Sequence, residues 1–160
     1  MDKNIGTAGT TEVKLGGNGE IYLILGDDFT LQGKRLTPND SQNDTASLTI
    51  YAQSSGESQG SINLSSTNVT EQAKLDINGA ITINGGNINI SNTNVSENGQ
   101  AAIMTTGGDV TINGGQVTVN GTSTHSGIIC YSGKSITLGY KNAADFIKAD
   151  HYLSNDGSNN

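Results

Sequence analysis

The stretch Ile81-Thr-Ile-Asn-Gly-Gly-Asn-Ile-Asn-Ile recurs 29 residues later as Val110-Thr-Ile-Asn-Gly-Gly-Gln-Val-Thr-Val. Near-identity at a fixed distance indicates a chain built from stacked copies of one short unit, because such a unit cannot bury its apolar side chains alone. The sequence therefore predicts a repeat protein. The repeat says less about function, since one scaffold can carry many kinds of site.

In both copies, aliphatic residues alternate with Thr and Asn, which is the pattern of a β-strand with one buried face. Such strands recur in groups of three, and successive groups are 33, 29 and 26 residues apart. Gly-rich segments lie between the strands, and no stretch has a helical stripe. We therefore predict an all-β fold, a right-handed single-stranded parallel β-helix (β-solenoid) with three short strands per turn and about four to five coils.

Five groups of residues make up the predicted coils. A degenerate first turn covers 13–35, and a last turn begins at 135–138 and continues to 146–147. The three complete turns between them consist of 48–50, 61–64 and 74–77, then 81–83, 87–90 and 101–104, and then 110–112, 117–119 and 127–130. We interpret the chain as one domain with an N-terminal degenerate coil or cap at 1–47, regular coils at 48–140, and a terminal coil remnant with a polar tail at 141–160.

Stacking these turns places the aliphatic residues in columns, because successive side chains of a strand point to opposite faces. The inward columns are Leu48, Ile81, Val110 and Ile136, and Ile50, Ile83, Ile112 and Leu138; Thr49, Thr82, Thr111 and Thr137 form an outward column between them. Ice-binding solenoids carry two Thr per strand on such a face. Only one Thr repeats here, so ordinary strand propensity accounts for the column.

Asn84-Gly-Gly and Asn113-Gly-Gly fall at the same corner of adjacent turns, where a sharp bend favours positive φ. Their Asn side chains could hydrogen-bond along the axis as a ladder. The loops at 91–100 and 120–126 differ in length, and variable loops of a solenoid usually crowd one face. That face is therefore a natural place to look for binding.

The net charge of −7, with eight Lys and Arg residues in the whole chain, argues against nucleic acid as a partner. The longest apolar run, Ile21–Leu25, is far shorter than a membrane span, and the first residues lack the apolar segment of a signal peptide. We expect a soluble chain without membrane insertion, compatible with a mature or truncated piece of an exported protein. A single cysteine, Cys130, allows no internal disulfide.

The motifs Leu48-Thr-Ile-Tyr-Ala-Gln-Ser, Ile81-Thr-Ile-Asn-Gly-Gly, Val110-Thr-Ile-Asn-Gly-Gly-Gln-Val-Thr-Val and Ser135-Ile-Thr-Leu-Gly-Tyr-Lys-Asn-Ala-Ala-Asp-Phe-Ile carry a resemblance to a known family. Over 48–152 the chain resembles the Gly-rich parallel β-helix repeat proteins of anaerobic gut bacteria, which share the pectate-lyase-like fold. The resemblance implies a secreted or cell-surface adhesin or carbohydrate-binding protein. Similar proteins continue with further strands where this sequence reaches 158–160.

Polysaccharide lyases and hydrolases also use parallel β-helices, but they need converging carboxylates, or calcium-binding Asp residues with a basic partner. The carboxylates here are scattered, and Arg35 is the single arginine. Turn roles are favoured over calcium binding at Asp27, Asp28 and Asp109. His125 and His151 are likewise interpreted as surface residues, with no metal spacing around them. We therefore predict no enzyme activity, no metal site and no cofactor.

Cys130 aligns in the predicted coils with Met104 and Leu75, which form an inward column. A small, buried, apolar role is favoured over a reactive thiol.

Carbohydrate binding combines an aromatic surface for sugar rings with amides and hydroxyls that read sugar hydroxyl groups. Tyr51, Tyr131 and Tyr140 follow strands in three turns without sharing an alignment column. Packing roles compete with sugar stacking for these tyrosines. If a glycan site exists, we predict it near Tyr51, Asn84 and Asn113.

The function favoured by the sequence is a non-enzymatic, secreted or cell-surface scaffold for adhesion or glycan contact. Its expected partners are polysaccharides or host or bacterial surface glycans, bound weakly and repeatedly along a rigid rod. The alternatives are a dedicated carbohydrate-binding module and a non-catalytic fragment of a polysaccharide-degrading enzyme.

Overall fold

A computed structural model of the protein describes residues 4–40, 43–56, 58–66, 74–92, 101–120, 127–131 and 133–139. In this part of the chain no helix is long and apolar enough to cross a membrane. The described residues form strands joined by turns and no helix. The strands are β1 Asn4–Ile5, β2 Glu12–Leu15, β3 Glu20–Leu25, β4 Thr30–Gly33, β5 Arg35–Pro38, β6 Ser47–Ala52, β7 Ser61–Ser66, β8 Lys74–Ile77, β9 Ile81–Ile83, β10 Asn87–Asn92, β11 Ile103–Thr105, β12 Val110–Ile112, β13 Gln116–Asn120, β14 Ile128–Cys130 and β15 Ile136–Leu138.

The chain visits three parallel sheets in rotation. Sheet A contains β1, β4, β7, β10 and β13, sheet B contains β2, β5, β8, β11 and β14, and sheet C contains β3, β6, β9, β12 and β15. Each strand therefore pairs with the strand three places before or after it. The result is a β-solenoid of about four turns with three strands per turn, which confirms the predicted fold class.

The predicted columns are confirmed in sheet C. Leu48 pairs with Ile81, Ile81 with Val110 and Val110 with Ile136, and the Thr column from Thr49 to Thr137 lies one residue further along. Strand β3 adds another member to each column, since Ile21, Tyr22 and Leu23 pair with Leu48, Thr49 and Ile50. A tyrosine thus occupies the first position of the outward Thr column.

The first turns contain two strands, β1 and β5, that the sequence pattern does not predict. Val13 lies in β2 of sheet B and pairs with Leu36 of β5, and Leu36 pairs in turn with Leu75. The segment Arg35-Leu-Thr-Pro has a single large aliphatic residue, so its alternation is too short to stand out from a loop. Pro38 is accommodated at the last position of its strand, as expected for a residue without an N–H donor.

The interior is filled by aliphatic side chains from all three sheets, and their burial from water is the main source of stability. Burying one such side chain contributes about 1.5–3 kcal/mol. The side chains with no exposed surface include those of Leu36, Leu48, Ile50, Ile62, Leu75, Ile81, Ile83, Ile88, Ile103 and Ile112.

The corner after each repeated Asn-Gly-Gly bends as predicted. Gly86 has φ of 95° and Gly115 has φ of 82°, so the second Gly of each motif takes the conformation that L residues avoid. The predicted Asn ladder is also present, because Asn113 Nδ2 donates to Asn84 Oδ1 at 2.9 Å. Other predictions lie outside the described residues: those for Tyr140, His125, His151, the tail at 141–160, and most of the two variable loops.

Candidate functional site

Two outward rows run along the solenoid axis on sheet C. The first, called the Thr row, starts at Tyr22 and continues through Thr49, Thr82, Thr111 and Thr137. The second, called the amide row, starts at Ile24, which pairs with Tyr51, and continues through Asn84 and Asn113. The two rows are separated by an inward column, so their side chains share one face.

The three residues predicted as a glycan site are consecutive members of the amide row. Asn84 N donates to the Ile50 carbonyl and Asn113 N donates to the Ile83 carbonyl, each at 2.8 Å. These hydrogen bonds continue the parallel ladder one residue past β9 and β12, which brings Asn84 beside Tyr51 and Asn113 beside Asn84. The structure therefore brings Tyr51, Asn84 and Asn113 together in one row.

Tyr22 and Ile24 belong to the same surface and were missed as site residues. Their exposed fractions are 63% and 67%, and that of Tyr51 is 41%. We call Tyr22, Ile24 and Tyr51 the apolar patch. The sequence contained the signal for it, because alternation in Glu20–Leu25 places Tyr22 and Ile24 opposite the buried Leu25. The segment was interpreted as part of the degenerate first turn and as the longest apolar run, and its outward side chains were not predicted to form a binding surface.

Charged residues flank these rows without entering them. Glu20 pairs with Ser47, and Asp109 precedes Val110, so both acids lie at the side of sheet C where its strands begin. Asp109 Oδ1 accepts hydrogen bonds from Ser135 N at 2.7 Å and from Ser135 Oγ at 3.1 Å. The backbone hydrogen bond is the main reason that the pKa of Asp109 is lowered, with the Ser135 hydroxyl second.

The outer face of sheet B carries ion pairs instead. Arg35 lies 3.6 Å from Glu12, and Lys74 Nζ lies 2.9 Å from Asp76 Oδ2. Each acid there faces a base, so the described acids of this sheet do not converge as a pair of catalytic carboxylates would.

Sheet A presents uncharged amides and hydroxyls. Asn89 Nδ2 donates to Asn63 Oδ1 at 3.0 Å, and Gln32 Nε2 donates to Asn4 Oδ1 at 3.1 Å. These bonds join neighbouring coils in the same way as the Asn84 to Asn113 bond. Part of the polar surface of this sheet is therefore used to join neighbouring coils.

The acids considered for calcium binding lie at corners. Asp27 Oδ1 accepts from Ser54 Oγ at 2.8 Å, and Asp28 has positive φ of 61°. Together with the Asp109 hydrogen bonds, these contacts fit the turn roles predicted from the sequence. Among the described residues, no group of three or more His, Cys, Asp or Glu side chains could hold a metal ion.

The predicted alignment of Cys130 was wrong by one residue at Met104 and by two residues at Leu75. Cys130 pairs with Thr105, and Thr105 pairs with Ile77, whereas Met104 pairs with Ile129 and lies on the alternate face. Cys130 still packs against the core, and burial raises the pKa of its thiol, as expected for an apolar rather than a reactive role. The error arose because Ala101-Ala-Ile-Met has no alternation that fixes its strand, which begins at Ile103.

Comparison of the chain with models of protein families, with curated proteins and with solved structures finds no match in any of the three.

Proposed function

We propose that this chain is a non-enzymatic β-solenoid scaffold, secreted or displayed at a cell surface, that contacts glycans through its exposed strand faces. The observation that carries the proposal is the alignment of Tyr51 with Asn84 and Asn113 in one outward row. A tyrosine ring offers an apolar face to sugar C–H groups, and primary amides both donate to and accept from hydroxyls. The stacking of coils repeats such groups at regular intervals.

A repeated, shallow surface favours weak contacts made many times. Neighbouring coils present equivalent side chains from a rigid core, so several sugars of one polymer can be engaged at once. The second contact is then effectively intramolecular, and the total affinity exceeds that of any single contact. Polysaccharides and surface glycans of host or bacterial cells are ligands of this kind.

The non-catalytic part of the proposal is supported by how the described acids are engaged. Asp27 and Asp109 accept hydrogen bonds at corners, and Glu12 and Asp76 face bases. The extracellular part is supported by the resemblance to β-helix surface proteins of gut bacteria. Both the adhesin and the separate carbohydrate-binding module fit this chemistry.

The test is a glycan array combined with affinity electrophoresis in gels that contain soluble polysaccharides. We expect retardation by at least one polysaccharide, with no release of reducing ends after prolonged incubation. Absence of binding to every glycan at high protein concentration would contradict glycan contact. New reducing ends would contradict the non-enzymatic assignment.

A further inference from the structure

We propose that the outer face of sheet C binds a neutral polysaccharide laid along the solenoid axis, with one sugar ring on the apolar patch and later rings against the Thr row and the amide pair. The amide pair is Asn84 and Asn113. This inference rests on the proposed function, and it names the ligand class and the binding face.

The apolar patch is a compact group of large exposed side chains. Ile24 and Tyr51 are direct neighbours on adjacent strands, and Tyr22 precedes Ile24 by two residues on the same face. In the described part of the chain, neither tyrosine side chain makes a hydrogen bond or a ring contact. The equivalent positions of the later coils hold Thr and Asn. The two N-terminal coils therefore differ from the later described coils by presenting an exposed apolar surface.

The rest of the face supplies hydrogen-bonding groups beside this surface. The ladder bond uses Asn113 Nδ2 and Asn84 Oδ1. This bond takes one N–H of Asn113 and one lone pair of Asn84 Oδ1, so within the described residues the amide pair keeps further donors and acceptors for a ligand. Thr49 and Thr82 add hydroxyls in the neighbouring row. A pyranose ring has the same two kinds of surface, with apolar C–H groups on its face and hydrogen-bonding hydroxyls around its edge.

The spacing of the rows suits a polymer. Adjacent coils are separated by the distance between neighbouring strands, about 4.8 Å, which is close to the length of one pyranose unit in an extended polysaccharide. From Tyr22 to Thr137 the Thr row crosses the five strands of sheet C, a length of about 19 Å. A chain of about five sugars laid along the axis would meet one coil per sugar.

The charge of the surface selects a neutral polymer. Neither row contains a charged residue, and the side of the face where the strands begin carries two acids, Glu20 and Asp109, against one base, Lys134. The protein as a whole has a net charge of −7. A uronate-rich or sulfated polysaccharide would be repelled by this negative charge and would have no cation in the rows to bind. A neutral polymer is not repelled.

The experiment measures dissociation constants by affinity electrophoresis in gels containing mixed-linkage β-glucan, xylan, galactomannan or polygalacturonate. The variants are Tyr22→Ala and Tyr51→Ala, with Tyr22→Phe and Tyr51→Phe retaining the rings. Tyr131→Ala is the matched control, because Tyr131 is 50% exposed and follows β14 of sheet B. Urea unfolding midpoints establish that each variant is folded.

We expect binding to a neutral polysaccharide that weakens about tenfold in each patch alanine variant. The phenylalanine variants and Tyr131→Ala should bind like the unaltered protein. If the unaltered protein binds a glycan and folded Tyr22→Ala and Tyr51→Ala bind it equally well, the patch is not the site, although glycan contact survives. Stronger binding to polygalacturonate than to every neutral polymer would overturn the ligand class. No binding by the unaltered protein would overturn both this inference and the proposed function.

Discussion

Gly115 illustrates, at the residue scale, how closely the coils approach one another at the corners. Its φ is 82°, and a Cβ placed there would lie 2.5 Å from the Gly86 carbonyl oxygen of the preceding coil. Gly133 has nearly the same conformation, with φ of 80°, but a Cβ there would meet no heavy atom within 4 Å. Comparing substitutions at these two glycines therefore separates the cost of backbone strain from the cost of crowding between coils.

Gly115→Ala should destabilise the protein more than Gly133→Ala. Both changes place an L residue at positive φ, at a cost of about 1–2 kcal/mol, but only the first also forces two backbone segments apart. Urea unfolding of both variants measures the difference. Equal losses of stability would contradict the close corner packing described for Gly115.

The stability of the protein should fall in acid partly through Asp109. The pKa of Asp109 is lowered in the folded state by the Ser135 hydrogen bonds, so its stabilising contribution is present above the pKa of an unfolded Asp, about 3.9. That contribution is lost as the pH falls through the lower, folded pKa. Asp109→Asn, which keeps an acceptor oxygen, should show a smaller loss of stability between pH 6 and pH 3, measured by urea unfolding at about unit pH intervals.

Ser135→Ala is the companion variant, because it removes the hydroxyl and keeps the backbone donor. Titration of the Asp109 carboxyl by NMR should then give a pKa between that of the unaltered protein and that of an unfolded chain. An unchanged pKa would mean that the hydroxyl has no part in the shift.

Among the strands, the inward columns carry most of the stability. Ile83 lies between Ile50 and Ile112 in the middle of sheet C and has no exposed surface. Ile83→Ala should therefore cost about 2–5 kcal/mol, through lost burial and the cavity that remains. Thr82→Val, on the outward side of the same strand, should change stability by less than about 0.5 kcal/mol. Similar costs for both variants in urea unfolding would contradict the inward and outward assignments.

The strands show where sequence reasoning succeeds and where it fails. The Ile-Thr-Ile and Val-Thr-Ile repeats predict their own register, because a one-residue slip would turn every aliphatic side chain towards water. Strand β5 and the start of β11 could not be predicted in the same way. Leu36 stands alone in its strand, and Ala101 and Ala102 are buried together, so neither segment has the alternation that fixes a register.

In the molecule as a whole, coil stacking creates a surface that no single coil contains. Tyr51, Asn84 and Asn113 could be predicted as candidates from their positions after aligned strands. The alignment of Tyr22 with the Thr column could not be predicted, because the first coil has diverged from the repeat. The register of β3 is set by its pairing with β6. Alternation alone places Tyr22 and Ile24 on the outer face, but Tyr51 joins them only when the coils are stacked, so the complete apolar patch is a product of tertiary structure.

The stacking itself is tested most directly by pyrene excimer fluorescence. Thr49 and Thr82 are register partners on adjacent strands of sheet C, whereas Thr49 and Asn63 are closer in sequence but lie on different sheets. In a Cys130→Ala background, pyrene-labelled Thr49→Cys/Thr82→Cys should give strong excimer emission. Labelled Thr49→Cys/Asn63→Cys should give monomer emission alone. Excimer emission from the second pair and not from the first would contradict the parallel solenoid.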